Sequence, residues 1–545
     1  MGVELYVHPI YGLIPLMFIA AAFILPLFSF FIKKIRFFNA FALAITLIAF
    51  IISALILVNV YVYREGKPVL YPFGGWPPPI GIAYEIDLFN ALFAFFVALL
   101  ALLIMIYDTW YCTVDPKVHY TFYVLLLGLL GGVFGCIYTG DIFNLFVMLE
   151  VMSLGAYTLI AFYRSNRNSL EAALKYTLLG AVALSLYFVA CIVYYAAYGT
   201  LNMADLAYMA RHKEALTPFS KIFGNIVVAT AVGLALTLWP FTFKSALFPN
   251  HFWVPDVYMS VSPIVAACFA GFTEVTSVYI VARFLYTIFG PGVIPELEAI
   301  RKVIFFAFLI LGIVAALVGA FMMGLQRDAR RLLAYSTINH VGFLYIALSI
   351  GLFTDSIDIL KVGLMAMLLH MINHGAGKVA LFLSIGAIMK GNNLRDADIT
   401  AMYGLGRTMP IAGAALVVAV LHLIGLPPFA GFFSKYYIYQ VYLRIGQPII
   451  AWLIVLATAI SLMGYAKLLI ISFGSKPVKR VKESPASIFT LVILMIMTIA
   501  ISIALYTDFY NLLTEAARAI TDYNSYIATF RDFVYSYLLH LLRGS

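Results

Sequence analysis

His370, His374 and Lys378 stand four residues apart in LLHMINHGAGKVALFL. On a helix that spacing stacks the three side chains on one face, about 6 Å apart along the axis. An imidazole gains and loses a proton near neutral pH, so a row of this kind resembles a proton wire. His340, in RRLLAYSTINHVGFLY, extends the row from the preceding helix. Two plainer readings stand beside this one. His-x-x-x-His spacing suits zinc, yet a zinc-protease helix needs Glu directly after its first His, and Met371 occupies that place. Hydrogen bonds that only hold helices together would use the same residues.

Other charges stand alone in apolar stretches. Glu150 lies in GDIFNLFVMLEVMSLGAYTLIAFY with no Lys or Arg within ten residues, so a cationic partner must come from another helix. It reads as a carboxylate whose charge depends on that cation, or as a protonated acid that packs helices. Lys244, in TLWPFTFKSALFPNHFWVPD, has Pro240 four residues before it and Pro249 five after, which interrupts its helix. A helix broken inside a bilayer frees carbonyl groups and exposes dipole ends, a recurrent setting for ion sites in transporters. Lys435, in GLPPFAGFFSKYYIY, likewise follows Pro427 and Pro428. Both lysines have the alternative of snorkelling to a membrane surface. Glu274, in FAGFTEVTSVYIVARF with Arg283 nine residues on, is a relay carboxylate or the counter-ion of a lysine on a neighbouring helix. Lys175, in SLEAALKYTLLG, has Glu171 four residues before it and so the alternative of a surface ion pair. His422 and Lys467 complete the set.

The stretches that must position these groups belong to a membrane protein. Of 545 residues, 64% are hydrophobic and 11% charged, whereas a soluble domain is about a quarter charged. Too few polar residues remain to cover a water-facing surface of this size. A soluble enzyme, a nucleic-acid-binding protein and a disordered chain are thereby excluded. The net charge of +9 falls in short basic clusters between apolar runs, a pattern that reports orientation. Cys112, Cys136, Cys191 and Cys268 are isolated, without a C-x-x-C pair. No haem, iron–sulfur or metal cofactor is expected, and any redox chemistry belongs to a partner.

A helix needs about 20 mostly apolar residues to cross the hydrocarbon layer. Windows of that kind fall near 9–32, 37–62, 84–107, 119–139, 142–163, 170–198, 219–247, 261–290, 302–325, 329–352, 358–390, 410–443, 448–474 and 486–508. They predict an all-α integral membrane protein of about fourteen spans. The first is longer than the core of a signal peptide and reads as a retained span. Loops after odd-numbered windows carry sixteen Lys and Arg, among them Lys33, Lys117, Arg164, Arg327, Lys390 and Lys476. Loops after even-numbered windows carry nine, among them Arg64, Lys213, Lys221 and Arg301. Basic loops stay in the cytoplasm, which puts both termini on the outer side. Residues 63–83, rich in Pro and Gly, read as an outer loop. The tail 509–545 reads as an amphipathic helix lying in the interface or against a partner.

If Lys244 and Lys435 are equivalent, spans four to eight (119–290) and nine to thirteen (302–474) form two units of five. Three spans (1–118) precede them, and the last span (486–508) and the tail follow. A unit with an odd number of spans re-enters from the opposite side, giving inverted repeats with broken helices 7 and 12.

EAALKYTLLGA, FKSALFPNHFWVPDVYMSVSPIVAA, RDARRLLAYSTINHVGF, MINHGAGKVALFLSIGAI and GLPPFAGFFSK occur in this order. These segments resemble the antiporter-like, proton-pumping membrane subunits shared by respiratory complex I, Mrp cation/proton antiporters and archaeal hydrogenase or sulfane-reductase complexes. The resemblance covers roughly residues 85–475. It implies fourteen core helices with inverted repeats, a Glu150–Lys244 pair on helices five and seven, and Lys435 as the helix-twelve lysine. His340, His370, His374 and Lys378 match the polar central axis of that family. Where many relatives carry Lys or His on helix eight, this chain offers Glu274.

The function expected from the resemblance is movement of H⁺, with Na⁺ as the other ion to consider. The partners it implies are other membrane subunits of a respiratory or Mrp-type complex in the cell membrane, and the driving redox chemistry lies in those partners. Separating Glu150 from Lys244 would drive the lysine's proton towards the His/Lys row, with release through Lys435. A lone secondary transporter exchanging a cation or solute for protons fits the same composition, and a scaffold with inert charges is a third reading. Purification as a lone active polypeptide or as a large assembly separates the first two.

Overall fold

A computed structural model describes residues 8–112, 114, 118–162, 167–212, 225–475 and 479–543. Lys117, Arg164, Lys213, Lys221 and Lys476, used above to orient the chain, lie outside the described residues. The chain opens with α1 (Ile10–Phe31) and α2 (Ile35–Val58), then a hairpin of β1 (Val69–Pro72) and β2 (Ala83–Ile86). Next come α3 (Leu88–Tyr111), α4 (His119–Tyr138), α5 (Ile142–Ala161), α6 (Arg167–Tyr198) and the short α7 (Met203–Met209). The seventh span, α8 (Ile226–Lys244), is followed after a turn by α9 (Val254–Ser260). The eighth is a single helical column, Pro263–Ile288, in which α10 (Pro263–Cys268) and α11 (Glu274–Ala282) are joined and extended by π turns. Then follow α12 (Pro295–Leu325), α13 (Ala329–Leu348), α14 (Ile357–Gly391), α15 (Pro410–Ile424), α16 (Ala430–Arg444), α17 (Pro448–Phe473) and α18 (Pro485–Ala504). The tail folds as α19 (Asp508–Ala519) and α20 (Tyr523–Arg543).

Among the described residues, thirteen helices are long and apolar enough to cross a membrane. The twelfth sequence window, 410–443, is instead two helices of 15 residues each. Each is about 22 Å long, short of the roughly 30 Å hydrocarbon layer. The stop is built into the sequence. Gly425 closes α15 in the left-handed region at φ 88°, which a side chain resists. Pro427 and Pro428 then cannot continue a helix ladder.

Two further boundaries differ from the sequence reading. The loop reading of 63–83 gives way at its centre to an antiparallel hairpin, β1 with β2, pairing Val69 with Ile86 and Pro72 with Ala83. The third span therefore starts at Leu88, not near residue 84, because the Asp87 side chain accepts the Asn90 backbone N–H at 3.0 Å and caps the helix there. The tail is two helices rather than one, and both pack back onto the bundle, α19 against α3 and α14, α20 against α7.

Burial sorts the spans into a centre and a rim. The apolar stretches of the eighth and tenth spans are 100% buried, against 39% for α1 and 33% for α2. Spans enclosed by protein can carry polar side chains because neighbouring helices supply partners, which lipid cannot. Close crossing brings the central spans together. A Cβ at Gly375 of α14 would stand 2.5 Å from the Gly271 carbonyl oxygen, so only glycine lets the eighth span and α14 approach this closely.

Candidate functional site

The ionisable groups fall into two buried clusters, each at an interrupted helix. At the first, α8 ends at Lys244, and the turn after it is held by Trp253 Nε1 donating to the Phe243 carbonyl at 2.9 Å and Asn250 Nδ2 donating to Thr242 Oγ1 at 2.8 Å. Lys244 is 2% exposed. Its ammonium donates to Ser153 Oγ at 2.6 Å, and that hydroxyl in turn donates to the Leu149 carbonyl at 2.5 Å. The Tyr157 ring centroid stands 6.0 Å from Lys244 Nζ. Glu150, half-buried, lies one turn from Ser153 on the same helix. It makes no ion pair within 4.0 Å among the described residues, although its charge reaches Lys244. The hydroxyl of Ser153, not the carboxylate, is the direct partner of the lysine.

The second cluster lies among α13, α14, α16 and α17. His340 Nδ1 is 3.1 Å from His370 Nε2, and His340 Nε2 is 3.0 Å from the Tyr465 hydroxyl. Tyr465 pairs with Ser336 Oγ at 2.6 Å, and His370 Nδ1 lies 3.0 Å from Ser434 Oγ. The chain Ser336–Tyr465–His340–His370–Ser434 is thus continuously hydrogen-bonded and fully buried. A neutral imidazole has one N–H and one lone pair. If His340 donates to His370, then His370 donates to Ser434 and His340 accepts from Tyr465; reversing every bond gives the opposite polarity. A chain with two such polarities passes a proton by switching between them.

His374 and Lys378 share the face of His370 but not its bonds. The His374 ring is centred 5.2 Å from that of His340, and neither of its nitrogens has a hydrogen bond within 3.5 Å among the described residues. Lys378 donates to the Leu333 carbonyl at 2.8 Å. Glu274 stands on α11 across from Lys378 and within its electrostatic reach. Its Oε1 accepts from the Tyr258 hydroxyl at 2.5 Å, and its Oε2 has no hydrogen-bond partner among the described residues. Lys435 closes the cluster. Its ammonium donates to the carbonyls of Leu423 at 2.9 Å and Ile424 at 3.1 Å, the last turn of α15, where the helix dipole favours a cation. A largely apolar cavity of about 270 Å³ opens beside it, lined by Gly425, Tyr439 and Thr458 among others. His422 is fixed as one tautomer: its Nδ1 accepts the Gly431 N–H at 3.2 Å, and its Nε2 donates to the Asn373 carbonyl at 2.9 Å.

Two residues of the sequence set stand apart from these clusters. Lys175 is 41% exposed in its side chain and bonds Glu171 at 2.6 Å and Asp256 at 2.9 Å, tying α6 to α9. Lys467 donates to the Gly324 and Gln326 carbonyls at the end of α12. The hydroxyls of Ser153, Ser434, Tyr465 and Tyr258 were not singled out in the sequence. Ser153 is three residues after Glu150 and Ser434 directly precedes Lys435, which was the available signal. Tyr258 and Tyr465 had none. Among the described residues, no three His, Cys, Asp or Glu side chains gather as metal ligands.

A fold of long apolar helices, two of them interrupted beside buried lysines, with a titratable row between, defines an ion-translocating membrane protein of the antiporter type. Residues 139–461 match the family described as NADH:quinone oxidoreductase/Mrp antiporter, TM. The chain is 35% identical over 438 residues to NADH-quinone oxidoreductase subunit N of Desulforudis audaxviator, covering 78% of this chain and 79% of that one. It is 28% identical over 462 residues to a Na(+)/H(+) antiporter subunit of Alkalihalophilus pseudofirmus, covering 84% and 87%. A chain in the structure of the membrane-bound sulfane sulfur reductase, an archaeal respiratory membrane complex, superposes with a TM-score of 0.85 at 30% identity, covering 96% of this chain and 100% of that one. The protein belongs to the NADH:quinone oxidoreductase/Mrp antiporter transmembrane family. It is an antiporter-like, ion-translocating subunit.

Proposed function

We propose that this chain moves protons between its two interrupted spans, from Lys244 past Glu274 and Lys378 to His374, His340 and His370, and out by way of Ser434 and Lys435. The observation that carries this reading is the buried hydrogen-bonded chain Tyr465–His340–His370–Ser434. Glu150 acts on Lys244 through its field, with Ser153 as the hydroxyl that holds the ammonium in place. When that field recedes, the ammonium form of Lys244 loses its support and its proton moves on. Coulomb attraction across a few ångströms of low dielectric is large enough to do this, several kcal/mol even when moderately screened. Lys175, in its half-exposed ion triad, holds α9 and so the break after Lys244 rather than carrying protons.

The arrangement is also read as two inverted five-span units. The first comprises α4, α5, α6, α8 with α9, and α10 with α11; the second comprises α12, α13, α14, α15 with α16, and α17. The interruption falls in the fourth member of each, and each break has a buried lysine. Taking α15 and α16 as one interrupted span gives fourteen, with both termini outside as the basic loops imply. The partners are other membrane subunits of a respiratory or Mrp-type assembly, which supply the driving reaction. H⁺ is the moving ion, and the likeness to a Na(+)/H(+) antiporter component makes Na⁺ the ion to test against it.

The test is proton movement by the assembled complex in sealed vesicles. Glu150→Gln and Lys244→Met are expected to lower it at least about tenfold, on the scale of a lost proton-transfer group, with assembly intact. Undiminished transport in both would overturn the proposal.

A further inference from the structure

The hairpin side of the molecule holds a third buried charge cluster that the route above does not use. Asp87 and Arg283 form an ion pair at 2.6 Å, with side chains 0% and 4% exposed. Arg283 also donates to the Tyr279 hydroxyl at 3.1 Å and to Thr287 Oγ1 at 3.2 Å. Beside them stands Glu85 of β2, 1% exposed, with neither carboxyl oxygen hydrogen-bonded among the described residues. Arg283 is already neutralised by Asp87. Two ionised acids with one guanidinium would leave an uncompensated charge in a site closed to water, which is costly. Burial accordingly pushes the Glu85 carboxyl well above the ordinary carboxylate range; Arg283 opposes that rise, Asp87 adds to it, and the Tyr526 phenol opposes it.

The tail covers this cluster. Tyr526 of α20 is 1% exposed, faces Glu85, and carries the Arg283 guanidinium 5.3 Å from its ring centroid. Three other contacts fasten the cover: Thr287 Oγ1 donates to the Ile520 carbonyl at 2.7 Å, Arg211 stacks 3.8 Å over Tyr523, and Arg531 lies 4.6 Å over Tyr208. An open cleft of about 450 Å³ is lined by Glu65, Lys67, Leu88, Glu515, Arg518 and Ser525 among others. Leu88 and Ser525 are the immediate chain neighbours of Asp87 and Tyr526. The cleft thus reaches the residues next to Asp87 and Tyr526, and the buried Tyr526 phenol is the group of α20 that meets Glu85. The eighth span joins this place to the central axis, carrying Glu274, Tyr279 and Arg283 over nine residues, about 13 Å.

We propose that Glu85 is a proton-carrying group at the hairpin-side end of the eighth span, and that α20 is the lid controlling its exchange with water. The inference rests on the proton-translocating reading above. In each cycle the Glu274 carboxyl breaks its O–H bond and the Glu85 carboxylate forms one with that proton, a branch that leaves the route above at Glu274 and opens on the hairpin side. Glu85 breaks that bond to water in the cleft when Tyr526 moves aside.

The test uses the full-length chain in its membrane assembly, reconstituted in vesicles, with infrared difference spectra recorded across the neutral pH range. Wild type is expected to show the carbonyl stretch of one dehydrated, protonated acid that is absent in Glu85→Gln. Proton transport in Glu85→Gln is expected to fall at least about tenfold, on the scale of a lost proton-transfer group. Tyr526→Ala, which opens the lid, is expected to move the titration of that band towards the ordinary carboxylate range. A spectrum unchanged by Glu85→Gln, a band lost without loss of transport, or a titration unmoved in Tyr526→Ala would each overturn the proposal. Lys244→Met separates the two readings. Transport lost there but kept in Glu85→Gln rejects only the role of Glu85, whereas transport kept in both rejects the route itself. Should Glu85→Gln fail to assemble, Glu85→Asp keeps the acid with a shorter arm. Its transport pH profile is expected to shift, and an unshifted profile overturns the proposal.

Discussion

Lys435 reaches back across the break in its own span and donates to the carbonyls of Leu423 and Ile424, the last of α15. The interruption at Gly425 thus creates the acceptors, and the residue that uses them begins the second half only a few positions later. A helix end in a membrane has carbonyls that nothing else can satisfy. An ammonium satisfies them and is stabilised by the dipole in return. If that ammonium loses its proton, both acceptors lose part of their partner at once. The break is therefore sensitive to the charge of one side chain.

The histidine chain carries the first prediction. His370→Gln keeps a polar side chain of similar length between His340 and Ser434 but cannot exchange a ring proton. Proton uptake by vesicles containing the assembled complex, followed with a pH-sensitive dye, is expected to fall by about tenfold or more. Thermal stability should change little, because an amide can bond on both sides. Unchanged uptake would show that His340 and His370 serve packing alone.

Ser153 offers a way to read the charge of Lys244. Ser153→Ala removes the acceptor at 2.6 Å from a lysine that is 2% exposed. A buried hydrogen bond to a charged group is worth about 1.5–3 kcal/mol and a neutral one about 1 kcal/mol. A clear drop in melting temperature, restored in Ser153→Thr, is the outcome expected for a charged lysine. A drop only about half as large, the loss of a neutral hydrogen bond, would mean a neutral amine.

What the sequence made readable was the placement of unusual residues in predictable elements. Pro249 after Lys244 and the prolines before Lys435 announced both breaks, although Pro240 lies inside an unbroken α8, and the spacing of His370, His374 and Lys378 announced their common face. Partners from distant helices were not readable. Nothing in the neighbourhood of His340 points to Tyr465, 125 residues on, because tyrosine in a span carries no periodic signal. Asp256 likewise lies 81 residues from Lys175, and only the fold after the break in the seventh span brings them together. Glu85 was hidden differently. Glu85 fell at the start of the third apolar window, 84–107, and the two four-residue strands around a Pro/Gly-rich turn are too short for an alternating pattern to stand out, so the hairpin that carries it went unread.

Lys467 gives a contrast to the functional lysines. It donates to the Gly324 and Gln326 carbonyls where α12 ends and, among the described residues, to no side chain of the histidine cluster. Lys467→Met is expected to lower stability by about 1 kcal/mol, the scale of a lost helix-end interaction. Proton transport per assembled complex should match wild type. A selective loss of transport at unchanged stability would move Lys467 into the route.

Asp141 supplies a pH signature at the mouth of α5, the helix that carries Glu150 and Ser153. Its carboxylate caps the helix, accepting the Asn144 N–H at 2.7 Å, and it is 7% exposed. Burial pushes its carboxyl up to about 6 from 3.8, against the pull of the backbone N–H groups of Asn144 and Phe143. The folded state therefore binds this proton more readily than the unfolded chain does. Its stabilising effect is full below the unfolded value, declines as pH rises from about 4 to about 6, and is absent above, a span on the order of 1–3 kcal/mol. Asp141→Asn keeps an oxygen that can cap and removes the charge. Melting curves of the purified protein should show the variant gaining over wild type as pH rises through that window, with the two converging in acid. A constant difference at every pH would mean that Asp141 is solvated, and that the start of α5 is open to water.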